Sequence, residues 1–253
     1  MPLKARDIQQ NLDAVRKRMQ EAARQSGRTV NEIRLIAISK YMPPEYVLAA
    51  MSAGQHCFGE NTVQEALSKQ DLIDNPDNEW HFVGHLQSNK AKMIAGNFDW
   101  LHTLDSLKLA SRLSENAVNA AQTLNVLLQV NIADDPDKFG LPASAVPQFI
   151  DDILDAGLAG IRLRGLMTIG RRGATLDERR EDFSALRELR DACMTRFELP
   201  RFSELSMGMS GDFEAAISEG ATMIRVGSAL FGPRPAPHPA SSDNSCERLH
   251  IYM

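Results

Sequence analysis

Cysteine is scarce in this chain. Cys57, Cys193 and Cys246 are its only three, odd in number and far apart, a pattern that argues against a disulfide framework and contains no metal-ligand spacing. Long apolar runs are missing as well. No stretch approaches the ~20 apolar residues that span a bilayer, so no membrane role is expected. The opening Met1-Pro2-Leu3-Lys4-Ala5-Arg6-Asp7 lacks the apolar core of a signal peptide, and a cytoplasmic location is the expectation. Basic charge is not in excess. The net charge of -5 argues against a broad nucleic-acid footprint. Tyrosine is limited to Tyr41, Tyr46 and Tyr252, which bears on acid/base chemistry below. No short-period repeat and no internal low-complexity linker interrupts the chain, so one domain is favoured.

What is present is an ordinary globular composition, 43% apolar and 24% charged over 253 residues. Ile8, Leu12, Val15 and Met19 form a helical stripe at spacings of three and four, predicting a helix over about 5–26 with Gly27 as its stop. Apolar strand candidates then alternate with helical segments. The strands are expected at 33–39, 56–59, 80–84, 100–104, 125–131, 162–168, 204–207 and 221–226. Helices are expected at 44–53, 62–73, 86–95, 106–121, 145–156, 176–197 and 213–218. Buried strands alternating with helices imply a parallel sheet. About eight such units in this length predict an α/β fold, a single (β/α)8 TIM barrel with an extra N-terminal helix, over 1–232. A doubly wound open sheet is the alternative. The Pro- and Ser-rich 233–253 reads as a flexible tail.

Barrel sites are built at the carboxyl ends of the strands, and polar residues and glycines recur there. The first strand, Leu35-Ile36-Ala37-Ile38-Ser39, ends in Lys40. A lysine taken partly out of water tends to lose its charge, and a neutral amine forms Schiff bases with carbonyls. The local alternative is that Lys40 caps the strand and snorkels to water. After the seventh and eighth strands come Ser206-Met207-Gly208-Met209-Ser210-Gly211-Asp212 and Val226-Gly227-Ser228. Turns of this kind offer backbone N–H and hydroxyl donors to an anion, and barrel phosphates are held at this position. Each loop alone reads equally as a structural turn. A phosphate-bearing aldehyde satisfies both loops and the lysine together, and pyridoxal 5'-phosphate (PLP) is the candidate. Arg225 reads either as a barrel-top ion pair or as a contact to the pyridine nitrogen. An arginine there cannot accept a proton, so the ring nitrogen stays unprotonated and carbanion chemistry is weak.

With these motifs assembled, the chain resembles the pyridoxal phosphate homeostasis proteins, also described as alanine racemase N-terminal-like barrels. The resemblance spans about 8–232 and rests on 35–40, Phe58-Gly59-Glu60-Asn61 with Val63-Gln64-Glu65, Trp80-His81-Phe82 with Gly84, and Leu86-Gln87-Ser88-Asn89-Lys90. It rests equally on Gln129-Val130-Asn131 with Lys138 and Gly140, Gly165-Leu166-Met167, 205–210 with Asp212, and Arg225-Val226-Gly227 with Phe231-Gly232. It implies a PLP fold-type III barrel with the cofactor as a Schiff base on Lys40, phosphate contacts near Ser206, Gly208, Ser210, Gly227 and Ser228, Asn61 beside the ring, and Arg225 at the pyridine nitrogen. It also implies a role in vitamin B6 (PLP) homeostasis, binding, buffering or delivering PLP to PLP-dependent apo-enzymes without robust catalytic turnover. Departures are Tyr41-Met42 after the lysine and His85, which put the shape of the entrance in question.

Other residues carry competing readings. His81 is either a strand residue held by a backbone hydrogen bond or a ligand contact, and Met167 packs and also reaches toward the ring. Met207 and Met209 are expected to pack. His102 and Asp105 fit the rim, with Asp105-Ser106 equally readable as turn and cap, as are Ser88 and Asn89. Arg171-Arg172 reads as a solvated loop. A small PLP-dependent amino-acid racemase or lyase is the competing function. A two-base racemase needs a group on each face of the substrate carbon, and Tyr41 is the one tyrosine placed to serve. No catalytic residue is therefore assigned, no metal is expected, and a monomer is favoured.

Overall fold

The computed structural model describes residues 3–73, 75–171 and 173–233. The expected tail from residue 234 onward, with Cys246 and Tyr252, lies outside the described residues, as does Arg172. Helix α1 (Ala5–Gln25) precedes β1 (Arg34–Ile38). There follow α2 (Pro44–Ser52), β2 (Cys57–Glu60), α3 (Val63–Gln70), β3 (Glu79–Phe82), β4 (Trp100–Leu104), α4 (Leu107–Asn119) and β5 (Leu124–Asn131). The chain continues through the two-residue β6 (Leu141–Pro142), α5 (Val146–Asp155), β7 (Ile161–Met167), α6 (Leu176–Arg196), β8 (Glu204–Ser206), α7 (Phe213–Ser218), β9 (Met223–Val226) and α8 (Ser228–Phe231). All strand pairings are parallel, and the order β4-β3-β2-β1-β9-β8-β7-β5 closes through β4–β5. The result is the expected eight-stranded (β/α)8 barrel, with β6 a short addition on the edge of β5. No helix among the described residues is long and apolar enough to cross a membrane.

One helical unit departs from expectation. Between β3 and β4 the chain forms a 3-10 segment, Ser88–Met93, instead of an α-helix over 86–95. Its six residues rise about 12 Å as 3-10 turns but only about 9 Å as α-helix, so a short connection covers the same barrel flank.

Period-two alternation sorts the strand residues into two apolar sets. Leu35, Ala37, Phe58, Leu101, Val126, Leu128, Leu166, Ile224 and Val226 face outward into the main core, against the helices and the buried stripe Ile8, Leu12, Val15 and Met19 of α1. Ile36, Trp100, Leu127, Met167 and Met223, with Ile38 beside them, form a separate cluster inside the barrel. The inward register sets the site: Lys40 follows Ile38 by two residues, and Arg225 follows Met223 by two.

Candidate functional site

Lys40 is half-buried at the end of β1, on a backbone turn that is pinned from below. Tyr41 adopts φ +64°, a conformation costly for a residue with a Cβ. Its N–H donates to Glu65 Oε1. Buried Lys69 donates from Nζ to the Ser39 carbonyl at 2.7 Å, to Glu60 Oε1 at 2.6 Å and to Glu65 Oε1 at 2.8 Å. Ser39 Oγ donates to the same Glu60 oxygen at 2.6 Å. Burial pushes the Glu60 carboxyl up, against the pull of Lys69 and Ser39. The three charges hold the strained turn that presents Lys40.

A cavity of about 430 Å³ opens at the carboxyl ends of the strands, lined by Lys40, Asn61, Met167, Ser210, Arg225, Gly227 and Ser228 among the sequence candidates. That volume is in the range of small-molecule sites. A wider cleft of about 710 Å³ lies between α1, α6 and α7, but its lining is ordinary surface charge, and the chemistry converges on the smaller one. Asn61 is set in place by Gly84: a Cβ there would stand 2.0 Å from the Asn61 carbonyl oxygen. Ser210 Oγ accepts from the Gly227 and Ala229 N–H groups, each at 3.3 Å, tying together the loops after β8 and β9. Arg225 is buried, and burial lowers its pKa to about 10, against the pull of Asp212. The residues fit a phosphate-bearing aldehyde: a lysine amine, an arginine donor and the Ser210 and Ser228 side chains beside Gly227 share one cavity.

The structure places three candidates elsewhere. Gly208, buried at φ +90°, accepts from the Arg225 N–H and packs so closely that a Cβ would meet the Ala216 Cβ at 2.5 Å. It shapes the loop instead of lining the cavity. Ser206 and His81 lie inside the barrel beneath the cavity, fully buried, because they occupy inward strand positions too deep to reach it. His102, expected at the rim, is buried there as well. Ser206 Oγ accepts from Arg225 Nη1 at 2.6 Å and lies 2.9 Å from His102 Nδ1, whose Nε2 is 2.9 Å from His81 Nδ1. Cys57, Glu79 and His81 come within metal-binding distance of one another at the far end of this line. Arg34 already lies 3.3 Å from Glu79, and burial raises the Cys57 thiol to about 11, so the group reads as part of the internal polar network.

Other expectations shift in smaller ways. Met209 is exposed at the cavity mouth, whereas Met207 packs in the core. Ser106 starts α4 without a side-chain cap, and Gln87, not Ser88 or Asn89, precedes the 3-10 turn. Arg171 is not merely solvated: it grips Asp182 with two hydrogen bonds of 3.0 and 2.6 Å. His85 stacks on Phe139 with centroids 3.8 Å apart, and Met42 lines the cavity. Of the departures, Met42 alone is among the residues that line the cavity. Ile38, Val83, Ile169, Gly211 and Gly232 also line the cavity. The two-residue step from Lys40 back to Ile38 was the available signal for the first of them.

Comparison with known proteins agrees with this architecture. The family model described as alanine racemase, N-terminal domain, matches residues 10–235. The pyridoxal phosphate homeostasis protein of Pseudomonas aeruginosa is 44% identical over 235 residues, covering 92% of this chain and 99% of that one. Its counterpart in Escherichia coli K12 is 42% identical over 235 residues, covering 90% and 97%. PipY of Synechococcus elongatus, solved with PLP bound, is 38% identical with a TM-score of 0.79, covering 89% of this chain and all of that one (100%). Alanine racemase from Corynebacterium glutamicum shares the fold alone, at 18% identity and a TM-score of 0.64. The chain belongs to the alanine racemase N-terminal domain family and, within it, to the pyridoxal phosphate homeostasis proteins.

Proposed function

We propose that this protein binds PLP in the cavity at the carboxyl ends of the barrel strands, holds it as a Schiff base on Lys40, and serves PLP homeostasis inside the cell by buffering the cofactor or delivering it to PLP-dependent apo-enzymes. The observation that carries the reading is the convergence of Lys40, Arg225 and the Ser210–Gly227 junction on one cavity. When bound, PLP supplies an aldehyde and an electron-withdrawing ring. Lys40 offers the amine that engages a carbonyl. Ser210 and Ser228 offer hydroxyl donors for an anion at the turn through Gly227, and Asn61 and Met167 flank the space for a ring. Arg225, a donor only, would hold the ring nitrogen of a bound PLP without protonating it, which would keep carbanion stabilisation weak. This supports a carrier without robust turnover.

A racemase or lyase remains the competing function. Tyr41, the tyrosine nearest the lysine, has its side chain 54% exposed and does not line the cavity. Tyr46 uses its hydroxyl to accept from the Leu3 N–H at 2.7 Å. Titration with PLP, followed by absorbance, tests the proposal. Wild type is expected to develop a visible band that Lys40→Ala lacks while keeping its fold by circular dichroism. A variant that retains the band removes Lys40 from its role, and amino-acid racemisation well above the Lys40→Ala control would replace the carrier reading with the enzyme.

A further inference from the structure

Arg225 begins a line of polar contacts that crosses the barrel interior. It runs from Arg225 Nη1 to Ser206 Oγ, then to His102 Nδ1, then from His102 Nε2 to His81 Nδ1. His81 Nε2 lies 2.7 Å from Glu79 Oε1, close but without hydrogen-bond geometry, and neither atom has a hydrogen-bond partner among the described residues. Arg34 stands 3.3 Å from the same Glu79 oxygen. Arg225, Ser206, His102 and His81 are all buried, Arg225 where it lines the cavity.

The ends fix its direction. A guanidinium only donates and a carboxylate only accepts. Ser206 oxygen accepts from Arg225 but has a second lone pair, so the carboxylate end sets the order. A neutral His81 carries its proton on Nε2, facing Glu79, which leaves Nδ1 to accept from His102 Nε2–H. His102 Nδ1 then accepts the proton of the Ser206 hydroxyl. With both imidazoles neutral, reversing one link sets two protons or two lone pairs against each other. Burial favours neutral imidazoles, holding His81 below its usual range and His102 well below it. Burial pushes the Glu79 carboxyl up, but His81, Arg34 and Trp100 more than offset this and hold it below its ordinary value.

We propose that Glu79, His81, His102 and Ser206 are positioning residues for Arg225, forming a one-directional donor chain that holds Nη1 of its guanidinium at the cavity wall from an anchor on the other side of the barrel interior, while Nη2 donates to the Thr168 carbonyl at 2.8 Å. The proposal rests on the reading that Arg225 faces the PLP ring nitrogen, and it extends that reading to residues that never touch the cofactor. It explains why a barrel interior that could be wholly apolar holds two histidines, His81 stacked on Trp100 with ring centroids 5.7 Å apart and His102 edge-on to His81 with centroids 5.1 Å apart.

Nitrogen-15 NMR of histidine-labelled protein without PLP tests the chain at pH 7. His81 and His102 are both expected as neutral Nε2–H tautomers, and an imidazolium or an Nδ1–H tautomer at either overturns the direction. Ser206→Ala removes the link to Arg225. It should raise the PLP dissociation constant about tenfold, the effect of one lost buried hydrogen bond, and shift the visible band of bound PLP. An unchanged constant and band in Ser206→Ala, with wild type binding PLP, overturns the positioning role. If Ser206→Ala does not fold, Glu79→Gln serves: it should move the signals of both histidines and the visible band, and no movement overturns the role. Wild type that takes up no PLP defeats the proposed function alone, since the tautomer result stands without it.

Discussion

Lys69 is 3% exposed and Glu60 is 0% exposed, an ion pair almost wholly inside the protein. Such a pair gains little over an apolar pair, but removing one partner strands the other in a medium that solvates charge poorly. Lys69→Met is therefore expected to destabilise the fold by about 3–5 kcal/mol in urea unfolding. Lys69→Met combined with Glu60→Gln should recover part of that loss, and a double variant no more stable than the single one would refute the pairing. Both variants release Tyr41 from its left-handed turn, so PLP uptake should fall in each. Lys40 was legible in the sequence because an apolar run ends in a charge. Lys69 was not, since a helix lysine ordinarily faces water. Its only signal was its place on the stripe Val63, Ala66, Lys69, where every third residue is buried. His81 and Ser206 were readable as strand residues near the site, but alternation reports facing and not depth, and they lie beneath the cavity.

At the scale of elements, the boundaries followed from physics visible in the chain. All eight barrel strands fall within two residues of the apolar runs that predict them. The unit after β3 was misread because helical spacing of apolar residues does not reveal how far the connection must reach. Its entry is governed by Gly84, where the loop after β3 crosses the loop after β2. Gly84→Ala would set a methyl 2.0 Å from the Asn61 carbonyl oxygen and 2.9 Å from its Cα, contacts that only a backbone shift can relieve. The expected result is a loss of about 2–4 kcal/mol in thermal or urea unfolding, with weakened PLP binding in any folded fraction because Asn61 moves. Wild-type stability in Gly84→Ala would show that the loops are free to part.

Across the whole molecule, the buried histidines make stability depend on pH. His102 is held well below its ordinary value of 6.5, first by burial, with the nearby charges of Arg225 and Arg34 acting in the same direction. The unfolded chain takes up that proton near pH 6.5 while the folded chain does not. The stability this contributes is complete above that pH and is lost as pH falls toward the folded value, at about 1.4 kcal/mol per pH unit for one group. Glu60, raised by burial, works in the opposite sense: its contribution is complete when it is protonated and lost as pH rises above 4.5. Comparing wild type with His102→Gln isolates the histidine. The difference in unfolding free energy should shrink between pH 6.5 and 5.5, and a constant difference would place His102 in contact with water.

The central claim is that Lys40, at the end of an inward-facing strand register, carries the cofactor. Its most direct test is the absorbance of PLP-loaded wild-type protein before and after borohydride, followed by peptide mapping. The account predicts a visible band near ~420 nm that collapses on reduction and leaves the label on Lys40, as a Schiff-base lysine requires. A label on any other lysine, or a protein that stays colourless with PLP, would contradict it.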